Sequence, residues 1–294
     1  MVTVLYQAYG HQDILNECLF SIMSFLRQVA EDEQGPSAGS RPACKILIYT
    51  DQPEFFRPWL SSSPIPVNYE QLTARQIQEY RGAIDFVHRV KVKVIEHFFA
   101  HHQGHLFYVD SDTVFTSPPW ALFQAVAEGQ FVMHINEGRI SDKINPIFKK
   151  MYRFLRRNAF VLGPMGPQNS GNKTFIPVDT AMWNAGVLGI PEGQKDLVQE
   201  VLSLTDQMYS IYAKHVMEQF AFSYILFRRG EILSADKQIH HYWDFKEFRV
   251  EIAEFLDRHR EQPLAQVLQA DAPKPIRPPK KATWSLFSKW RAYW

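Results

Sequence analysis

Along this chain, short runs of apolar residues closed off by Gly, Pro or polar clusters alternate with stretches whose apolar side chains recur every three or four positions. The first pattern fits a strand buried on both faces, the second a helix with one apolar stripe. The runs predict strands over residues 3–8, 45–50, 67–71, 106–109, 131–135 and 186–190, with helices between them. The clearest helix is expected over 84–99, where Ile84, Val87, Val90, Val94, Ile95 and Phe98 share one face. Ser117 followed by Pro118 and Pro119 predicts another helix start, with serine as the cap and proline in the first turn. The polar, Gly/Pro/Ser-rich segments 31–42 and 163–173 predict loops, the second long enough to act as a lid. The alternation as a whole predicts an α/β fold, a Rossmann-type, mostly parallel sheet flanked by helices.

Composition narrows the class. A chain of 294 residues that is 46% hydrophobic and 14% aromatic can offset the entropy of folding, which excludes a disordered protein. Its formal charge is +1, from 32 basic and 31 acidic residues, so it lacks the excess with which nucleic-acid binders displace counterions. No nucleic-acid partner is expected. The balance is uneven: residues 271–294 hold six basic residues and one acid, leaving 26 basic and 30 acidic residues on the rest. The stretch 270–282 reads as an extended, Pro-rich basic linker, and the end, TWSLFSKWRAYW, mixes aromatic residues with Lys289 and Arg291. The expected organisation is one domain over 1–269, followed by linker and tail over 270–294. Cys18 and Cys44 lack metal-type spacing and are expected free. With no basic leader and no apolar run long enough to span a bilayer, a reducing cytoplasm is expected.

The candidate chemistry gathers at 106–115, LFYVDSDTVF, where an apolar strand runs into Asp110 and Asp112. Ligands of parallel α/β sheets bind beyond the carboxyl ends of strands, and two carboxylates there offer hard oxygen ligands to a divalent cation. A solvated turn is the plain alternative. Two families place such a pair at a strand end. Asp110-Ser111-Asp112-Thr113-Val114 partly imitates the first motif of haloacid dehalogenase phosphatases, with Asp110 as nucleophile and Asp112 as acid. Their motif opens the core, however, whereas several βα units precede it here.

The chain more closely resembles the GT-A fold glycosyltransferases, and within them family eight, the glycogenin and lipopolysaccharide galactosyltransferase group. Four islands in the family's order carry the resemblance: YVDSDTVF at Asp110, MWNAGVLGI at Asn184, EQFAFSYIL at Glu218 and IHHYWDFKEF at His240. It implies a GT-A-like fold and a retaining hexosyltransferase whose donor is a nucleotide diphosphate sugar, UDP-linked by analogy. It also implies Mn²⁺ or Mg²⁺ held by Asp110, Asp112 and one of two histidines. Counting back six positions from Lys246, the lysine that meets the departing phosphate, selects His240, the preferred choice; the family's His-Tyr pair selects His241.

By the same resemblance Asn184 would meet sugar hydroxyls, Gly186 would let the backbone pass close to the ligand, and Asp110 and Ser111 would contact the donor. Glu218 and Gln219 stand for an Asp-Gln pair that contacts the donor sugar, with one methylene more than the family has. Ala8 and Tyr9 would offer backbone groups and a ring to the base. Lys93 best matches a basic residue near the phosphates, with Lys91 and Arg89 as rivals. Each has a plain reading as well: a turn before a buried strand for Asn184, a helix first-turn acid for Glu218, a core or surface ring for Tyr9, a solvated helix side for the three basic residues. His97, His101, His102 and His105 look like a metal cluster, but the order of acid and histidine is not that of the zinc proteases, and a polar helix end is expected.

The partners implied are a nucleotide-sugar donor and a glycan or lipid-linked acceptor. The tail resembles basic aromatic tails of some lipopolysaccharide glycosyltransferases, which implies a cytoplasmic protein peripheral to the inner face of an anionic membrane, with Trp284, Leu286, Phe287, Trp290, Tyr293 and Trp294 at the interface. Besides the phosphatase, the remaining alternative is a sugar-nucleotide or glycan-binding protein without turnover, which the Glu218 departure keeps open.

Overall fold

The computed structural model describes residues 1–32, 41–162 and 173–276. In the first half β1 (Val2–Ala8), α1 (Gln12–Asp32), β2 (Cys44–Thr50), α2 (Pro53–Leu60), β3 (Val67–Gln71), α3 (Ala74–Arg81), α4 (Arg89–His101) and β4 (His105–Val109) follow one another. The second half starts with β5 (Thr113–Phe115), α5 (Trp120–Ala127), β6 (Phe131–Met133), β7 (Asn136–Arg139), α6 (Pro146–Arg157), β8 (Phe160–Val161) and β9 (Lys173–Thr174). It continues through β10 (Ala181–Trp183), β11 (Val187–Ile190), α7 (Leu197–Ile211), α8 (Met217–Arg229), β12 (Ile232–Ser234), β13 (Ile239–His241), α9 (Phe248–Arg258) and α10 (Leu264–Gln269).

Seven strands form the central sheet in the order β12-β6-β11-β4-β1-β2-β3. Every neighbouring pair is parallel except those of β11, which runs against both β4 and β6. Side-chain alternation along β4 divides the core into two layers. Leu106 and Tyr108 join the apolar cluster under α4, α6, α7 and α8, while Phe107 and Val109 join the cluster under α1, α5, α9 and α10. This is the mostly parallel α/β sheet expected from the sequence, and all six expected strands are present with ends shifted by at most two residues.

The reversed β11 was not foreseen, because an apolar run carries no sign of its direction. Nor does the helix expected over 84–99 begin at Ile84. Gly82 and Asp85 adopt positive φ (67° and 49°), and the chain turns there before α4 starts at Arg89. Val87 is therefore exposed, and Phe86 supplies the buried contact instead by stacking on Tyr209. Pro119, not Ser117, precedes α5, with no side-chain cap. Cys18 and Cys44 are free. Residues 33–40, most of the expected lid (163–172) and the tail from 277 lie outside the described residues.

Candidate functional site

Beyond β4 the chain turns through Asp110, Ser111 and Asp112 into β5. The Asp110 amide donates to the Gly186 carbonyl at 2.8 Å, which ties this turn to the entry of β11. Behind it, Thr113 Oγ1 is held by the Asp110 carbonyl at 2.9 Å and by Ser21 of α1 at 2.7 Å, so a buried hydroxyl pair fixes the turn to the core. β13 then pairs antiparallel with β5, setting His241 opposite Thr113 and His240 opposite Val114.

Consecutive strand residues face opposite sides, so β13 can turn only one of its two histidines toward the aspartates. That one is His241. Its Nε2 lies 3.0 Å from Asp112 Oδ1 and 4.0 Å from Asp110 Oδ2, with the side chain 6% exposed. His240 is exposed and lies outside the group. The spacing from Lys246, which favoured His240, is thus corrected by one residue in favour of the His-Tyr alignment. One ligand atom each from Asp110, Asp112 and His241 lies within 4.8 Å of the others.

Asn184 fixes the orientation of the His241 ring. Its Oδ1 accepts the Gly186 amide at 3.0 Å and lies 2.9 Å from His241 Nδ1, so Nδ1 is the donor and the Nε2 position is turned to the carboxylates. Gly186 serves the same contact: a Cβ there would overlap the His241 ring. Its missing side chain thus makes room for the histidine. Asn184 Nδ2 reaches Glu137 at 3.3 Å, and Gln219 Nε2 donates to the same carboxylate at 3.1 Å. Two carboxylates and an imidazole nitrogen form a mixed oxygen and nitrogen donor set of the kind that can hold a divalent cation.

Two lysines hold the aspartates from either side. Lys246, 48% exposed, donates to Asp112 at 2.8 Å. Burial would raise the Asp112 carboxyl, but His241 and Lys246 outweigh it and hold the group well below the usual carboxylate range. Lys91, only 8% exposed, lies 3.1 Å from Asp110, 3.1 Å from Glu218 and 3.1 Å from the Ala185 carbonyl. Burial alone would push its ammonium toward the neutral form; the two carboxylates overcome that and raise its pKa. Removing one member of such a buried set costs about 3–5 kcal/mol. Tyr108 completes it by donating to Asp110 Oδ1 at 2.8 Å. Behind the cluster, burial and the nearby His241 lower the pKa of His134 to about 4.

A cavity of about 680 Å³ opens over these groups. Of the residues expected in the site, Tyr9, Asp110, Ser111, Asp112, Asn184 and Gly186 line it, as do Glu218, Gln219, His241 and Lys246. Ala8 does not; it is fully buried at the end of β1. Lys93 does not either, since it pairs with Glu96 on α4, and Lys91 takes the inward position. The signal for Lys91 was there: it stands three, four and seven positions before Val94, Ile95 and Phe98, on the buried face of α4. Glu137 and Trp243 also line the cavity; Trp243 lies within the IHHYWDFKEF island but was given no role, and Glu137 lies in none of the four islands. Glu218, one methylene longer than the expected Asp, meets Lys91 through its carboxylate.

No protein-family model matches the sequence, and no curated protein matches it. Solved structures do. Mouse xyloside xylosyltransferase 1 in its apo form superposes with a TM-score of 0.50 at 10% identity, over 80% of this chain and 85% of that one. The glycosyltransferase GlyE of Streptococcus pneumoniae matches with a TM-score of 0.45 at 13% identity, over 90% of this chain and 53% of that one. The galactosyltransferase LgtC, in complex with donor and acceptor sugar analogues, matches with a TM-score of 0.43 at 9% identity, over 77% and 70%. The first of these defines the class: the chain has the α/β fold of a GT-A glycosyltransferase. The acidic pair follows the fourth strand and not the first, where the haloacid dehalogenase motif stands.

Proposed function

We propose that this chain is a metal-dependent glycosyltransferase that moves a hexose from a nucleotide diphosphate sugar, UDP-linked, to a hydroxyl of a glycan or lipid-linked acceptor, with retention at the anomeric carbon. The observation that carries the reading is the convergence of Asp110, Asp112 and His241 at the carboxyl end of β4 with Lys246 beside them. Asp110, Asp112 and the His241 Nε2 would hold the divalent ion, which when bound supplies Lewis-acid neutralisation of a diphosphate. Asn184 holds the His241 ring with Nε2 turned toward that position. Lys91 sets a buried cation between Asp110 and Glu218, and Lys246 places a mobile cation where negative charge grows on the leaving group. Asn184, Gln219 and Glu137 line the same cavity as a hydrogen-bonded chain that can exchange its internal bonds for sugar hydroxyls. Tyr9 stands at the end of β1 as a ring for the base. In this reading residues 1–269 form the transferase domain and 270–294 a linker and tail.

The test is donor consumption. Purified protein with Mn²⁺ and a panel of UDP-sugars is expected to release UDP with at least one donor, faster when a glycan acceptor is added. Binding of the UDP-sugar without any release would instead mark a sugar-nucleotide-binding protein, and failure to bind any nucleotide sugar would refute the assignment.

A further inference from the structure

The segment from Lys143 to Arg157, which contains α6, holds six basic residues and no acidic one. All six are exposed. Phe148, Met151, Phe154 and Leu155 bury one side of the helix, and the spacing of Lys149, Lys150, Arg153, Arg156 and Arg157 sets those five on the opposite side. Among the described residues, no carboxylate pairs with any of the six. Lys143 lies 3.8 Å over the Tyr152 ring, and Arg156 reaches the Tyr152 hydroxyl at 3.4 Å. Outside this segment, residues 1–270 carry 20 basic residues against 30 acidic ones, so the face opposes the sign of the body around it.

Two further facts choose the partner. Ile144 is 63% and Ile147 40% exposed, both at the start of α6 and beside the cations. A soluble polyanion would use the charges and gain nothing from the isoleucines; an anionic lipid interface takes both, with basic residues at the headgroups and apolar ones between them. The face is also preformed, because Asn145 caps α6 by accepting the Phe148 amide at 2.9 Å, and the apolar side is already buried. Asn145 and Ile147 line the cavity described above, so the basic face adjoins it.

We infer that the α6 face docks the protein on an anionic lipid surface, with Ile144 and Ile147 at the headgroup boundary and the cavity that Ile147 lines beside them. An acceptor whose hydroxyl stands at that surface then meets the cavity without leaving the membrane; this last consequence rests on the glycosyltransferase reading, and the docking does not. The experiment is sedimentation of the full chain with phosphatidylglycerol vesicles at low salt, with phosphatidylcholine vesicles as the control. Wild type should sediment with the first and not the second. The fourfold variant Lys149→Gln, Lys150→Gln, Arg153→Gln, Arg157→Gln should partition on the order of 1000-fold less, with its melting temperature and UDP affinity unchanged. Unchanged partitioning of that variant would overturn the inference, even if the tail beyond residue 276 binds lipid. Wild-type indifference to the vesicles would overturn it too, as would loss of heparin binding alone in the variant, which would assign the face to a soluble anionic glycan. Donor turnover is not read in any arm, so failure here leaves the proposed activity to its own test.

Discussion

The two ends of β4 carry two groups of ionisable side chains that look alike in composition and differ in geometry. At the amino end, His97, His101, His102 and His105 fall within a few residues of one another. Each spends its nitrogen elsewhere: His97 on the Tyr49 hydroxyl at 2.9 Å, His101 on the His97 carbonyl at 3.0 Å, His102 beside Glu70 at 3.1 Å, and His105 on the Glu192 amide at 3.3 Å. His97 and His101 stack with their centroids 4.0 Å apart, an arrangement that sets rings parallel and does not aim lone pairs at one point. At the carboxyl end, His241 comes from a distant part of the chain to join the neighbouring Asp110 and Asp112, and their ligand atoms converge. Density of ligand-type residues in a sequence is therefore a poor guide; what counts is whether the backbone and a neighbouring acceptor aim the free atoms at a common space.

The contrast can be broken most forcefully at Asp112. Asp112→Asn should lower the Mn²⁺-dependent affinity for UDP on the order of 100-fold or more by calorimetry, whereas His97→Gln with His101→Gln should leave it within about two-fold. Equal losses in both would mean that the amino-end histidines also serve the ligand.

Lys246→Ala should slow donor turnover by about 100- to 1000-fold, the range for removing a fixed electrostatic partner of developing charge. Because that side chain is half exposed, thermal unfolding should barely move. A normal rate would return Lys246 to the role of a surface residue.

A smaller effect is expected from Gly186→Ala, which pushes the His241 ring off its place against the backbone. Metal affinity should fall about ten-fold, and stability by about 1–3 kcal/mol. Unchanged metal binding would show that the ring position matters little.

The mildest effect belongs to the amino end. Burial lowers the pKa of His97 and of His102, helped by neighbouring histidines and opposed in part by Glu70. Both groups therefore bind fewer protons folded than unfolded, so stability should fall as pH drops below the ordinary histidine range. Replacing His97 and His102 with Gln should flatten that slope in thermal melts between pH 7 and 5. A slope of unchanged size would place the acid sensitivity elsewhere.

Much of this was legible in the sequence, for a physical reason. Apolar runs and stripes report burial, and burial located every strand of the sheet except the edge strand β12, where Ile232–Ser234 is too short and too polar to stand out. The Asp110 and Asp112 pair was visible because a strand-end position and two hard ligands are both local features. What was not visible depends on register between distant segments. Whether His240 or His241 faces the aspartates follows from the pairing of β13 with β5, and a one-residue step reverses the answer. Lys93 was preferred to Lys91 by spacing to a motif, when the helical stripe already placed Lys91 inward. Glu137 enters from the two-stranded pairing of β7 with the distant β10, which left no pattern of its own in the sequence.

The central claim is that His241 joins Asp110 and Asp112 around one divalent ion while His240 stands aside. Mn²⁺ binding followed by electron paramagnetic resonance, in the presence of UDP, tests it in two variants. His240→Ala should bind Mn²⁺ as the wild type does, and His241→Ala should lose most of that binding while still folding. Loss in His240→Ala with retention in His241→Ala, or no Mn²⁺ binding by the wild type, would contradict the account.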